Sequence, residues 1–319
     1  MKARKVLVIG GSGFVGSAIV RRLSAQGVKD MVPTRRRERS KHLILLPGVE
    51  VVEADVNDDA VLNRVVSGMD AVFNLVGILH GDSGSPYGRK FKAAHVDLPR
   101  RVGAACAAAG VPRLIHMSAL GVATDAPSMY LRSKAAGEDA VKAAAHDVAL
   151  TIFRPSVIFG SDDRFTNLFA TMQRVLWVLA VGGADARLQP VHVEDVARAM
   201  VGAMDNPSTS GRTYDLAGPA VLTLKEIIQC VGRISGHARP VLALPAGLAR
   251  LQAWFMEFMP FQILSRDNLD SLKVDSVSSA CFAPELGVTP VSMEAVLPGY
   301  LSGRAPRERY MQLRDHARR

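Results

Sequence analysis

Tyr130-Leu131-Arg132-Ser133-Lys134 places a phenol and an ammonium four positions apart at the start of a helical run, so both share one face. An ammonium beside a phenol favours its ionised form, and a cationic redox ring bound nearby would act in the same direction. The chemistry this implies is proton transfer to or from an alcohol while hydride moves elsewhere. Lys134 has a second use, as a donor to ribose hydroxyls. Upstream, Arg113-Leu114-Ile115-His116-Met117-Ser118 ends an apolar run on a hydroxyl. Ser118 either polarises a reacting carbonyl or simply caps the strand end. Ala119 and Leu120 follow it, so no second hydroxyl stands deeper in the loop. His116 reads as a sheet residue, because no nucleophile arrangement accompanies it. Tyr130, Lys134 and Ser118 are therefore the candidate catalytic set.

The elements that must position them begin with Lys5–Ile9, a short β-branched strand that runs into Gly10-Gly11-Ser12-Gly13-Phe14-Val15-Gly16 and then a helix through Leu23. This order suits a pyrophosphate, which needs close backbone approach and a helix N-terminus facing its charge. Gly10 permits the turn, Gly13 the close approach and Gly16 the packing of helix against strand. Ser12 adds a possible hydroxyl donor, and Phe14 and Val15 supply the first turn of the helix.

Pro33-Thr34-Arg35-Arg36-Arg37 follows the second strand, where a carboxylate would ordinarily hold a ribose diol. Guanidinium groups there suit a ribose 2′-phosphate, so Arg35 first and Arg36 second favour NADP(H), with NAD(H) as the alternative. Asp55 and Val56 end a third strand; Asp55 either meets the adenine amino group or caps the helix beginning near Asp58. Asn74 and Val76 follow the fourth strand, and their backbone can line the central ribose.

Strands are expected at 30–34, Val49–Ala54, Ala71–Val76, Arg113–Ser118 and Ala149–Arg154, with an alanine-rich helix ending near Gly110 and another over Ser133–Ala145. This alternation predicts a parallel sheet with helices on both faces. Beyond Pro155 the spacing predicts a helix over Glu194–Met204, a strand over Thr213–Leu216 and a helix over Thr223–Gly232 with Thr223 as N-cap. Segments after 155 are expected to return to the sheet.

The 319 residues are 48% hydrophobic, enough for one large domain and a smaller lobe. Cysteines at 106, 230 and 281 make neither an even disulfide set nor a metal cluster, and a reducing compartment follows. No apolar run reaches the twenty or so residues of a membrane span, and with a strand so near the first residue no separate signal sequence is expected. The formal charge of +9 gathers at Arg35–Lys41 and after Arg304. Few aromatics accompany it, which excludes a nucleic-acid surface as the leading reading.

These motifs, together with Arg154-Pro155-Ser156-Val157-Ile158-Phe159-Gly160 and Pro190-Val191-His192-Val193-Glu194-Asp195-Val196-Ala197, make the chain resemble an atypical extended short-chain dehydrogenase/reductase. The resemblance implies an α/β fold, a Rossmann-like doubly wound parallel sheet with a smaller C-terminal α/β lobe. It also implies Tyr130 as acid/base with Lys134 as its electrostatic partner, whereas the family's usual second hydroxyl position is Leu120. Asn74–Leu79, Met117–Gly121 and Asp267–Asp275 further resemble the subgroup that contains the nucleotide-binding accessory subunit of respiratory complex I. That implies retained NADP(H), a possible place in a respiratory membrane complex, and a quinone-like or apolar carbonyl as the substrate class. Epimerase or dehydratase chemistry is the further alternative. The expected division is 1–160 for the NADP(H)-binding domain, 161–303 for a substrate or interaction lobe and 304–319 for a basic tail, in a protein of the cytoplasm or the inner face of its membrane.

In the second lobe, Leu248, Leu251, Trp254, Phe255 and Phe258 recur at helix-compatible intervals. The leading expectation is a helix buried against its own lobe; a wall around an apolar substrate or contact with an anionic membrane surface or a hydrophobic partner are the others. His192 and Asp195 lack the spacing of metal ligands and read as structural, and Arg164 as a loop residue able to meet an acidic substrate.

Overall fold

The computed structural model describes residues 4–258, 264–280 and 282–302. The apolar runs form β1 (Lys5–Ile9), β2 (Lys29–Thr34), β3 (Val49–Glu53), β4 (Ala71–Asn74), β5 (Arg113–Met117) and β6 (Ala149–Pro155). A further strand, Thr213–Leu216, completes a sheet ordered Thr213–Leu216, β6, β5, β4, β1, β2, β3, parallel throughout. This is the Rossmann-like doubly wound arrangement, and its strand order reverses between β1 and β4. Val6, Leu7, Val8 and Ile9 are all buried, as a strand covered on both faces requires.

Leu7 and Ile9 pack with Leu62, Val65, Val102, Cys106 and Val141, which come from the helices on one face. Helices Leu98–Ala108 and Met129–Ala144 approach so closely there that a Cβ on Gly103 would lie 3.2 Å from the Ala144 Cβ. Alternation turns Val6 and Val8 to the other face, and helix α1 (Phe14–Ala25) packs against helix Val193–Asp205.

Several boundaries differ from the sequence expectation. The helix expected from Ser133 begins at Met129, because the Ser128 hydroxyl accepts the Leu131 N–H at 3.2 Å and caps it earlier. β4 stops at Asn74 rather than Val76. Asp58, not Asp55, caps helix Asp59–Val66, accepting the Ala60 and Val61 N–H groups at 2.8 and 3.2 Å. Thr223 does cap its helix, in a reciprocal box with Glu226, and that helix continues past Gly232 to Ser235 before Gly236 (φ 76°) ends it.

The chain divides into two compact units. One holds the chain through Pro155 with Val193–Leu216 and Ser278–Thr289; the other holds Ser156–His192, Ala217–Val277 and the chain from Pro290. The second unit is a smaller α/β lobe, in which strand Val241–Leu244 pairs with Leu179–Gly182 over a core that includes Phe159, Ile227, Ile228, Val231 and Leu297.

Its helix Ala246–Glu257 corrects the leading expectation. Ala249 and Ala253 are the residues it buries, while Leu248, Leu251, Trp254 and Phe255, with Phe258 beyond its end, are exposed. Close contact with strand Leu179–Gly182 admits only small side chains: a Cβ on Gly182 would already lie 2.6 Å from that of Ala249. Among the described residues no helix is long and apolar enough to cross a membrane. Cys106 and Cys230 are buried free thiols; Cys281 and the basic tail lie outside the described residues.

Candidate functional site

The turn after β1 has the form a dinucleotide needs. Gly10 has φ 86°, and a Cβ there would press on Leu75 at 3.3 Å, so the turn touches the end of β4 at the switch point. Gly13 is exposed at the N-cap of α1, with no side-chain cap. A Cβ on Gly16 would lie 2.2 Å from the Gly10 carbonyl oxygen and 2.6 Å from the Gly11 Cα. Gly16 therefore serves the turn's own backbone rather than the helix–strand contact expected of it. The N–H groups of Phe14, Val15 and Gly16 begin the helix with no earlier turn to bond them. These features fit a pyrophosphate, with Ser12 half-buried beside them.

At the far end of the crevice, Arg35 and Arg36 are exposed just past β2. The Thr34 hydroxyl donates to the Arg36 carbonyl at 3.2 Å, which fixes the start of that loop. Asp55 accepts the backbone N–H and side-chain amide of Asn57 at 3.0 and 2.8 Å. That backbone bond first, then the amide and the charges of Arg35 and Arg101, hold its carboxyl below the usual range against a burial effect of opposite sign. Arg35 and Asp55 thus lie within electrostatic reach of each other. The Val56 carbonyl accepts from Arg101 at 3.1 Å, which ties this loop to helix Leu98–Ala108. Asn74 is fully buried, its amide 3.3 Å from His116 Nδ1 and its Oδ1 accepting the Val76 N–H at 3.5 Å.

Helix Met129–Ala144 carries both Tyr130 and Lys134. Lys134 is buried and donates to the carbonyls of Met117 and Val76 at 3.1 and 3.4 Å, spanning the ends of β5 and β4. Burial pulls its ammonium down to about 8, with Glu138 acting in the opposite direction. Tyr130 is half-buried. Without a dinucleotide's charge beside it, its phenol is pushed up to about 12 by burial. The neighbouring ammonium points its protons at backbone carbonyls, so removal from water dominates.

Ser118 belongs to a different environment. It is buried and its N–H donates to the Phe153 carbonyl at 2.7 Å; its hydroxyl lies toward the Glu138 carboxylate that it helps to hold ionised but makes no hydrogen bond of normal geometry among the described residues. Leu120, half-buried, donates its N–H to the Pro155 carbonyl at 2.9 Å, which extends the β5–β6 pairing past Ser118.

Sequence reasoning missed three residues here. His95 sits in a π-helical turn, Lys92–Asp97, of the kind that often marks functional positions. Its Nε2 accepts the Ile78 N–H at 3.0 Å, so Nδ1 carries the proton and donates to Ser133 Oγ at 2.8 Å. Ser133 in turn donates to the Tyr130 carbonyl at 2.8 Å. Burial first, then the charge of Lys134, push His95 down to about 2, so the ring is neutral. Its ring meets that of Tyr130 edge-on at 5.5 Å, and Phe91, 5.4 Å from His95 and 6.4 Å from Tyr130, completes a cluster of three rings. Gly137 makes room for this turn, since a Cβ there would lie 1.9 Å from the His95 carbonyl oxygen. Glu138, one turn beyond Lys134, is bound by Arg154 through two bonds of 2.8 and 2.7 Å. The legible signals were the Lys134–Glu138 spacing and a glycine inside a helix.

The remaining candidates lie elsewhere. His192 stacks at 5.4 Å on Phe159 in the second unit; Asp195 is buried in the first turn of helix Val193–Asp205, paired with Arg198. Arg164 occupies the N-cap position of helix Phe165–Val175. Among the described residues no group of His, Cys, Asp and Glu side chains is placed to hold a metal. A cavity of about 630 Å³ opens at the opposite, amino-terminal edge of the sheet, beside Arg4, Asp70 and Arg113.

Fold and site together define a dinucleotide-binding α/β protein, and the comparisons agree. Residues 6–217 match the NAD dependent epimerase/dehydratase family. The chain belongs to that family. It is 31% identical over 288 residues to NADH dehydrogenase (ubiquinone) 1 alpha subcomplex subunit 9, mitochondrial, of Arabidopsis thaliana, covering 85% of this chain and 70% of that one. It is also 31% identical to (4-alkanoyl-5-oxo-2,5-dihydrofuran-3-yl)methyl phosphate reductase of Streptomyces griseus, over 73% of this chain and 74% of the reductase. Among solved structures, MoeE5 in complex with UDP-glucose and NAD superposes with a TM-score of 0.72 at 17% identity, covering 97% of this chain and 99% of that one. That likeness concerns the fold.

Proposed function

We propose that this chain binds NADP(H) at the β1–β4 switch point and retains it through reversible oxidation and reduction of an alcohol–carbonyl pair. The observation that carries the reading is the placement of Tyr130 and Lys134 on one buried helix face, with Lys134 tied to the ends of β4 and β5. Arg35 and Arg36, beyond a strand that ends on Thr34 rather than an acid, favour the 2′-phosphate; NAD, the dinucleotide bound by MoeE5, is the alternative. Family membership supports a dinucleotide held through the cycle, as in epimerisation or dehydration, as much as net reduction.

The bound dinucleotide would supply hydride exchange at C4 of its nicotinamide. The rest falls to the chain. Tyr130 exchanges the hydroxyl proton, and its high pKa makes it a proton donor at neutral pH. Lys134 holds the ends of β4 and β5 together and presents its ammonium to ribose hydroxyls. His95, locked neutral, fixes the first turn of helix Met129–Ala144 through Ser133. Ser118 is left as an anchor for Glu138, so carbonyl polarisation rests on Tyr130 alone. The rings of Phe91 and His95 beside Tyr130 support an apolar carbonyl, quinone-like among others, as the substrate class.

A second reading is a dinucleotide-loaded structural or assembly protein. Leu120 at the second hydroxyl position and the high phenol pKa favour it, as does the named role of the Arabidopsis relative as a subunit. Native mass spectrometry of gently purified protein, with denaturing release of bound molecules, is the first test. Retained NADP(H) supports the proposal, and a protein that binds neither dinucleotide after refolding refutes both readings. Tyr130→Phe then separates them: at least a hundredfold loss of turnover with unchanged dinucleotide affinity is expected of the enzyme. Equal hydride exchange by the variant would exclude Tyr130 as acid/base.

A further inference from the structure

We propose that helix Ala246–Glu257 and the segment before strand Leu179–Gly182 form a docking face for an anionic lipid surface. The helix is built inside out. A helix on a folded unit ordinarily turns its large apolar residues inward; here Ala249 and Ala253 face in, against Leu269 and Leu272. Leu248, Leu251, Trp254, Phe255 and Phe258 face out, with Phe255 65% and Phe258 73% exposed. Their spacing places them along one stripe.

The neighbouring strands extend this face. Gln252 donates to the Ala180 carbonyl at 3.1 Å, and Ala180 pairs with Leu242, which is also exposed. Just before that strand Val175, Leu176, Trp177 and Val178 are all exposed, Trp177 to 81%. The chain's two tryptophans, Trp177 and Trp254, are both exposed, one in each of these segments. Exposed apolar residues gathered on this scale mark an interaction site rather than ordinary surface.

Charge selects the occupant. Arg239 lies 5.2 Å over the Trp177 ring, and Arg174 and Arg250 are exposed alongside. Arg250 and Lys273 neutralise Asp270, and Arg266 neutralises Glu257; Asp267 is buried. The sequence after Ser302 adds Arg304, Arg307, Arg309, Arg314, Arg318 and Arg319 against Glu308 and Asp315. The charge of that sequence favours anionic headgroups. Aromatic and leucine side chains flanked by arginines suit the boundary between headgroups and acyl chains.

The test uses the full chain with vesicles of phosphatidylcholine alone and of an equal mixture of phosphatidylcholine and phosphatidylglycerol. Flotation with the mixed vesicles, weakened by salt, is expected. Tryptophan emission should shift to the blue and be quenched by lipids brominated on the acyl chain, also in Trp177→Phe, where Trp254 alone reports. Leu251→Gln with Phe255→Gln should weaken partitioning on the order of tenfold or more while unfolding temperature and dinucleotide affinity stay unchanged. No flotation, or flotation indifferent to the double variant, overturns the proposal. Concentration-dependent self-association abolished by the same variant, without lipid binding, overturns it in favour of a second copy of this chain. Because the face includes no dinucleotide contact, an outcome here leaves the proposed nucleotide site standing or falling by its own test.

Discussion

The buried pair beside Lys134 gives the sharpest energetic test. Glu138 is 2% exposed and receives two bonds from Arg154, whose side chain is 32% exposed, while Lys142 approaches its other side at 3.5 Å. Glu138→Gln leaves the Arg154 guanidinium without its carboxylate and removes the one anion that supports the charge on Lys134. Breaking a fully buried pair costs about 3–5 kcal/mol; the water that reaches Arg154 reduces this to about 2–3 kcal/mol. Arg154→Met should cost a similar amount, because it leaves Glu138 buried with only Lys142. The double variant removes both charges and should recover about 2 kcal/mol of the sum. Urea unfolding of the four proteins at neutral pH measures this coupling. There is a second readout at the site itself. Without Glu138 the Lys134 pKa must fall below its present value of about 8, so the alkaline loss of dinucleotide affinity should move to lower pH in Glu138→Gln. Additive stabilities, within about 0.5 kcal/mol, together with an unmoved pH profile would refute the reasoning that this pair holds the charge of Lys134.

Gly16→Ala should abolish measurable dinucleotide binding and cost about 1–3 kcal/mol, since its Cβ would lie 2.2 Å from the Gly10 carbonyl oxygen; unchanged affinity in a fluorescence titration would show that the turn relaxes. Arg35→Asp should reverse the preference between NADP(H) and NAD(H), on the order of tenfold or more, and equal NADP(H) affinity in wild type and variant would exclude the contact. Asp30 is buried with neither carboxylate oxygen hydrogen-bonded among the described residues, and burial raises its pKa to about 7. A folded pKa above the unfolded value means that the folded state binds the extra proton. Stability is therefore greatest at low pH and falls as pH rises from about 4 through 7, by about 2–4 kcal/mol. Asp30→Asn should flatten that slope, and parallel pH–stability curves for the two proteins would count against it.

The sheet was legible because each strand is a short apolar run closed by a turn signal, and the glycine turn because its spacing has a steric cause. Tyr130 and Lys134 were legible as a pair by helical spacing. The direction of the phenol's pKa was not, because it depends on where the lysine's protons point, and Val76 and Met117 are distant in sequence. His95 was hidden by a π-helical turn, which shifts a side chain out of ordinary helical register without changing composition. Asp55 and Asp58 show the limit of capping signals: both precede a helix, and only the local backbone decides which one caps it. Helix Ala246–Glu257 shows another limit. Periodicity groups the leucines and aromatics on one face, but whether anything covers that face is a tertiary fact.

The same electrostatics bear on what the reaction centre can do. With its phenol at about 12, roughly one molecule in 10⁵ would be ionised at neutral pH. Proton removal from an alcohol is then slow unless a further positive charge enters the site. Lys134 does not supply enough of it, because its protons are directed at two carbonyls and its own pKa is depressed. His95 is held neutral by burial first and then by the charge of Lys134, so it adds none. The oxidised nicotinamide would bring the missing charge, and the reduced form would withdraw it. On the proposed function, a site arranged in this way would donate a proton from Tyr130 to a carbonyl readily and would accept one from an alcohol only with the oxidised dinucleotide bound. That would couple the state of Tyr130 to the redox state of the dinucleotide, and retention of the dinucleotide would then have a chemical reason within the chain's own residues.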